Sequence, residues 1–114
     1  MDYTLEVIPK PRLDRILREL RQALEALYGD RLKGLYLYGS YARGEAEPGS
    51  DIDVAVVLSD ALDIHTEAKA TTPIVTRLLF DEECLVGLSF VEDEDWREGW
   101  SPFLHNLHDE AVAI

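Results

Sequence analysis

LKGLYLYGSYARGEAEPGSDIDVAVVL, residues 32–58, holds two apolar runs separated by a glycine-containing turn and a polar loop. Residues 32–38 are rich in Leu and Tyr, which suits a strand, and Gly39-Ser40 breaks that run ahead of a short helical stretch at 41–44. Pro48-Gly49 marks a loop within residues 45–50. Residues 52–58 then form a β-branched apolar run of the kind found in a buried central strand. A chain that leaves on one strand and returns on the next after so short a connection pairs them antiparallel. The end of the first strand therefore meets the start of the second, and the polar residues of the stretch gather there.

Asp51 and Asp53 are two apart at the head of an otherwise apolar strand, so their carboxylates project from one face, where they can share divalent metal ions. Hard magnesium ions take such oxygen ligands. Two metals about 3.5–4 Å apart lower the pKa of an attacking hydroxyl and neutralise charge on a pyrophosphate leaving group. Gly39 lets the backbone approach a phosphate, and Ser40 offers a hydroxyl and an amide at a helix start. Arg43, about one turn later, can add a charge-assisted bond. Taken singly these features are common: Gly-Ser is an ordinary turn, and most Asp-x-Asp pairs are structural or solvent-facing. Their combination in a fixed order is far more specific.

Upstream, Leu13, Ile16, Leu17, Leu20, Leu24, Leu27 and Tyr28 recur at helical spacing, with Arg12, Arg15, Arg18 and Arg21 on the other half of the wheel. Pro11 suits the first turn of this amphipathic helix and Gly29 its stop. Downstream, residues 60–82 read as helical but divided at Thr72-Pro73, with Ile74, Val75, Leu78 and Leu79 as the buried stripe. Residues 84–91 are a third strand candidate. The acidic group 92–95 suits the N-terminal end of a short helix containing Trp96. Ser101-Pro102 reads as the N-cap and first position of a last helix running to about Glu110.

The 114 residues, 46% apolar and 30% charged, suit one soluble globular domain spanning 1–114. The single cysteine, Cys84, cannot form an intramolecular disulfide, and residues 1–12 lack the pattern of a secretion signal, so a cytoplasmic location is expected. The apolar run at 54–58 is far short of the roughly 20 residues that cross a bilayer. The net charge of −12 is uneven, because residues 1–43 hold 8 of the 11 bases and 6 of the 23 acids. Backbone repulsion then disfavours nucleic acid as a direct partner, whereas a basic protein surface is attracted. Solubility alone explains the acidity equally well.

His105 and His108 lie three apart without a third ligand nearby, and read as surface histidines; His65 has no catalytic companion in the sequence. Cys84 reads as a small core residue. Tyr36, Tyr38 and Tyr41 flank the turn, where one could stack on a nucleotide base, yet aromatic strand residues are usually core. Trp96 and Trp100 could anchor a partner, with packing on the sheet the simpler reading.

Gly39-Ser40, ten residues, then Asp51-Ile52-Asp53 resembles the signature of the DNA-polymerase-beta-like nucleotidyltransferase superfamily, and Gly39-Ser40-Tyr41-Ala42-Arg43-Gly44 with Ser50-Asp51-Ile52-Asp53 matches its minimal members. Glu94-Asp95-Trp96 and Ser101-Pro102-Phe103-Leu104 look like the closing segments of minimal nucleotidyltransferase antitoxins. The resemblance implies an α/β (α+β) nucleotidyltransferase fold, a small mixed sheet with flanking helices. It implies Asp51 and Asp53 as catalytic metal ligands for Mg2+, and Gly39, Ser40, Arg43 and Ser50 as the ATP-binding residues. It also implies a HEPN ribonuclease toxin as partner, with AMP moved from ATP to a toxin tyrosine; a homo-oligomer and a hetero-oligomer with the toxin are both compatible. Transfer to a small molecule is less attractive, because so short a chain offers no second domain to hold the acceptor.

One departure stands out. Many active superfamily members carry a third carboxylate on a neighbouring strand, whereas residues 84–91 contain no acid and are only flanked by ones such as Glu83 and Glu92. Weak catalysis, or neutralisation of the toxin by docking alone, is therefore the competing expectation.

Overall fold

The computed structural model describes residues 6–60 and 62–114. Its elements are α1 (Lys10–Tyr28), a 3-10 turn (Gly29–Arg31), β1 (Leu32–Tyr38), α2 (Ser40–Arg43), β2 (Ile52–Leu58), α3 (Ile64–Glu82), β3 (Val86–Glu92), α4 (Asp93–Glu98), α5 (Pro102–Glu110) and β4 (Val112–Ala113). The strands form one mixed sheet in the order β3-β2-β1-β4. β1 pairs antiparallel with β2 and with β4, while β2 and β3 are parallel and joined through α3. A parallel pair needs such a crossover, and a helix supplies it while covering one face. The expected small mixed sheet with flanking helices is the architecture found.

β2 is central and apolar on both sides. Ile52, Val54, Val56 and Leu58 point to one face, where they join Leu35 and Leu37 of β1 against Leu13, Ile16, Leu17, Leu20 and Leu24 of α1 and Leu78 of α3. Burying side chains of this size stabilises by about 1.5–3 kcal/mol each before chain entropy is counted. On the other face Ala55 and Val57 are equally buried, and α4 and α5 lie over that side through Tyr36 stacked on Trp96 at 4.3 Å and Tyr38 edge-on to Phe103 at 6.1 Å. Strand alternation also places Asp53 on this second face.

Three expectations need correction. The helix over 64–82 is undivided, with Pro73 inside it. Pro73 is exposed, so water can serve the carbonyl it leaves without a donor. The Thr71 and Thr72 hydroxyls meanwhile donate back to the carbonyls of Glu67 and Ala68 at 2.9 and 2.8 Å. The buried stripe of α3 is Glu67, Thr71 and Leu78, with Ile74 and Val75 half-buried and Leu79 exposed. A glutamate is tolerated there because Arg31 lies 3.8 Å away and the Asp63 amide donates to it at 3.4 Å. β3 begins at Val86 rather than Cys84, although Cys84 is buried in the core as expected. β4 carried no sequence signal, since two residues are too few for an alternating pattern.

Leu20 is fully buried where α1 meets the sheet. Leu20→Ala is expected to lower the unfolding free energy by about 2–5 kcal/mol, read from urea titration at unchanged m-value. A loss below about 1 kcal/mol would contradict this account of the core.

Candidate active site

The register of β1 and β2 pairs Tyr38 with Asp53, so Gly39, one residue on, lies against the Asp53 side chain. Gly39 has φ +77°, in the region that favours glycine, and a Cβ built on it would sit 2.3 Å from Asp53 Oδ2. On the other flank β3 pairs Gly87 with Asp53, and a Cβ there would lie 3.4 Å from Asp53 Oδ1. Gly39, just past the end of β1, and Gly87 of β3 thus leave room for one carboxylate. Gly39 is indispensable to that geometry, whereas Gly87 leaves a space that a small side chain could enter.

Asp51 precedes β2 and is exposed, and Asp53 is half-buried. Burial first, and the Asp51 charge second, push the Asp53 carboxyl above its ordinary range; Arg43 opposes this and Glu110 adds to it. The loop that delivers the pair is closed by Ser50, whose amide donates to the Glu47 carbonyl and whose hydroxyl accepts from the Glu47 amide, both at 2.9 Å. Ser50 therefore fixes the approach to Asp51. Ser40 opens α2, where the Ala42 and Arg43 amides bond back to the Gly39 carbonyl.

Arg43 projects from α2 toward the same end of the sheet. Its Nη1 donates to Glu110 Oε2 at 2.8 Å and its Nε to Glu45 Oε2 at 3.1 Å. Glu110 also accepts from the Gly39 amide at 3.3 Å. The Arg43 bond, the largest influence, holds the Glu110 carboxyl below its ordinary range. Glu110 was not foreseen as part of this site, because nothing in the sequence shows that the last residue of α5 returns to the end of β1. Of the residues expected at the site, Gly39 lies against Asp53, and Asp51 and Arg43 are close enough to act on its charge; Ser40 opens α2, Ser50 closes the preceding loop on Glu47, and the fold adds Gly87 and Glu110.

Beside Asp53, where a third carboxylate could stand, β3 presents Gly87 and Ser89. The Ser89 hydroxyl is taken by the Tyr38 hydroxyl at 2.7 Å, across the small Ala55. Among the described residues no group of three or more His, Cys, Asp or Glu is placed to hold a metal. Magnesium does not need one. It keeps several waters and is commonly held by one or two carboxylates together with substrate phosphates. The donor set of exposed Asp51 and half-buried Asp53 fits that mode.

The remaining candidates have structural roles. The Tyr41 hydroxyl accepts from the Ile8 amide at 3.1 Å. The His108 ring packs tilted against Trp96 at 4.2 Å between ring centres and bonds the Trp96 carbonyl at 2.8 Å, while His105 lies 3.5 Å from Asp109. Trp96 is packed between Tyr36 and His108, as the packing reading expects, whereas Trp100 is exposed.

Residues 17–99 match the family model described as the nucleotidyltransferase domain. A Methanocaldococcus jannaschii protein provisionally named as a protein adenylyltransferase, MJ0604, is 41% identical over 44 residues, covering 39% of this chain and 44% of that protein. The matched segment thus spans under half of that relative. Among solved structures, a chain of a toxin–antitoxin complex with AMP-PNP superposes with TM-score 0.57 at 21% identity, covering 93% of this chain and 72% of the other. A chain from the complex of tri-AMPylated Shewanella oneidensis HEPN toxin with its MNT antitoxin gives TM-score 0.53 at 21% identity, covering 91% and 69%. At these identities the structural likeness establishes a shared fold.

Because the Asp53 pKa is raised in the folded state, its ionised form costs stability at neutral pH. Asp53→Asn is expected to melt at a higher temperature than wild type at pH 7 without metal. The gain shrinks as pH falls through the raised carboxyl range and vanishes below the ordinary one. Thermal unfolding against pH checks this; a variant less stable than wild type at pH 7 would contradict the strained-carboxylate reading.

Proposed function

Since this chain belongs to the nucleotidyltransferase domain family, we propose that it transfers AMP from ATP to a tyrosine hydroxyl of a HEPN-type toxin, acting as that toxin's antitoxin in the cytoplasm. The observation that carries the proposal is the seating of Asp53 between Gly39 and Gly87, with Asp51, Ser40 and Arg43 at the same end of the sheet. The names of the similar proteins support the acceptor class: one is named for protein adenylylation, and one neighbour is a complex with an AMPylated HEPN toxin. The AMP-PNP complex supports a nucleoside triphosphate as donor.

In this reading Asp51 and Asp53 hold magnesium, which when bound screens the triphosphate and the charge that develops on pyrophosphate. The Gly39 and Ser40 amides face the phosphates, and Arg43 donates to them through its guanidinium. The Ser50 turn keeps Asp51 at the mouth. Asp51 is exposed, so the site is accessible to a hydroxyl on a macromolecular surface. That hydroxyl oxygen forms the new bond to the α-phosphorus as the bond to pyrophosphate breaks, and its proton is released to solvent.

A second reading is motivated by Gly87 and Ser89 standing where a third carboxylate would complete the metal cage. Here the same domain neutralises the toxin by stoichiometric docking, with a weak or silent site.

Incubation of the purified chain with ATP, magnesium and its HEPN partner, followed by intact-mass measurement, is expected to show adenylyl additions on the toxin. Asp53→Ala should reduce them by about 100-fold or more, the scale of removing one preorganised electrostatic group. Absence of any adenylyl mass, with Asp53→Ala still neutralising the toxin, would replace transfer with docking.

A further inference from the structure

Glu110 is the last residue of α5 and the only acid there that turns back toward the sheet to meet Gly39 and Arg43 among the described residues. Both of its oxygens are engaged: Oε1 accepts from the Gly39 amide at 3.3 Å and Oε2 from Arg43 Nη1 at 2.8 Å. These are two of the donors that the proposed nucleotidyl transfer assigns to phosphate. A carboxylate presents two anionic oxygens on one carbon, much as a phosphate edge does. The Gly39 amide has a single N–H and cannot serve Glu110 and a phosphate at once, Glu110 neutralises part of the Arg43 charge, and Asp51 and Asp53 already make the surroundings negative.

We infer that Glu110 is an internal competitor for the nucleotide, occupying the phosphate donors of Gly39 and Arg43 until ATP displaces it. The inference rests on the nucleotide-site reading of the preceding subsection and adds a residue that sets its affinity.

The fold allows the exchange without unfolding. The Glu110 side chain is 23% exposed, so a change of rotamer takes its carboxylate into water. Its backbone can stay in place, because the Ala111 amide closes the helix on the Leu107 carbonyl and β4 remains paired with Tyr36 and Leu37. Arg43 keeps Glu45 on its Nε when Glu110 leaves, so the guanidinium remains held while Nη1 is released to a phosphate. Arrival of the triphosphate and its magnesium then compensates the lost ion pair. Glu45 makes the control: it neutralises Arg43 similarly, but it has no bond to the Gly39 amide.

The test is calorimetry of ATP with magnesium, and of inorganic tripolyphosphate without metal, on the full chain as wild type, Glu110→Gln, Glu110→Ala and Glu45→Gln, with melting curves confirming that each is folded. Both Glu110 variants are expected to bind ATP roughly two- to fivefold more tightly, the scale of removing a partly exposed ion pair, with tripolyphosphate following and Glu45→Gln gaining less. Equal gains in Glu45→Gln would reduce the effect to general charge and overturn the inference. Unchanged or weaker binding in the Glu110 variants, with wild type still binding, would overturn it while leaving the nucleotide site intact; metal-dependent weakening would instead mark Glu110 as a ligand. Failure of every form to bind ATP would remove the nucleotide site and this inference together.

Discussion

The antiparallel pairing of β1 with β2, in the register that sets Tyr38 opposite Asp53, is the constraint on which the rest of this molecule depends. Because side chains alternate along a strand, a slip of one residue would turn Asp53 into the apolar core and Ile52 out of it. The register is fixed from both sides. Ile52, Val54, Val56 and Leu58 are held by α1 and α3, and Ala55 and Val57 are buried on the opposite face. Apolar burial, which carries no chemistry, therefore determines where the carboxylate sits.

That carboxylate is placed at a cost. Asp53 is partly desolvated beside Asp51, and Gly39 adopts a backbone conformation that leaves just enough room for it. A nearby cation would offset that cost, which is how the proposed magnesium would act on the pair. The positive groups near it, Arg43 and the Gly39 amide, are meanwhile satisfied by Glu110. The resting site is thus internally neutralised around Arg43 and only partly compensated at Asp53.

Much of this was legible in the sequence because the elements concerned are local. The Leu and Ile spacing of α1, the break at Gly39-Ser40, the Pro48-Gly49 loop and the β-branched run of β2 each carry their own signal, and the short connection between β1 and β2 fixes their pairing. The parts that were not legible depend on distant neighbours. Pro73 interrupts a helical pattern on paper, yet its exposed position leaves α3 continuous. Glu67 lies outside the apolar stripe read for this helix, and its burial depends on Arg31, distant in sequence but beside it in space. Gly87 is an unremarkable strand glycine until its pairing with Asp53 is known, and Glu110 joins the site only because α5 folds back over the sheet. Glycines and acids of this kind have no periodicity to betray them.

The central claim is that Asp53, set between Gly39 and Gly87, holds a metal–nucleotide complex. Backbone amide NMR with substoichiometric Mn2+ replacing Mg2+ in the presence of a non-hydrolysable ATP analogue tests it without requiring turnover. The account predicts nucleotide-dependent paramagnetic broadening centred on Gly39, Asp51, Asp53 and Gly87, and its loss in Asp53→Asn. Broadening centred elsewhere, such as at the acidic residues 92–95, or unchanged in Asp53→Asn, would contradict it.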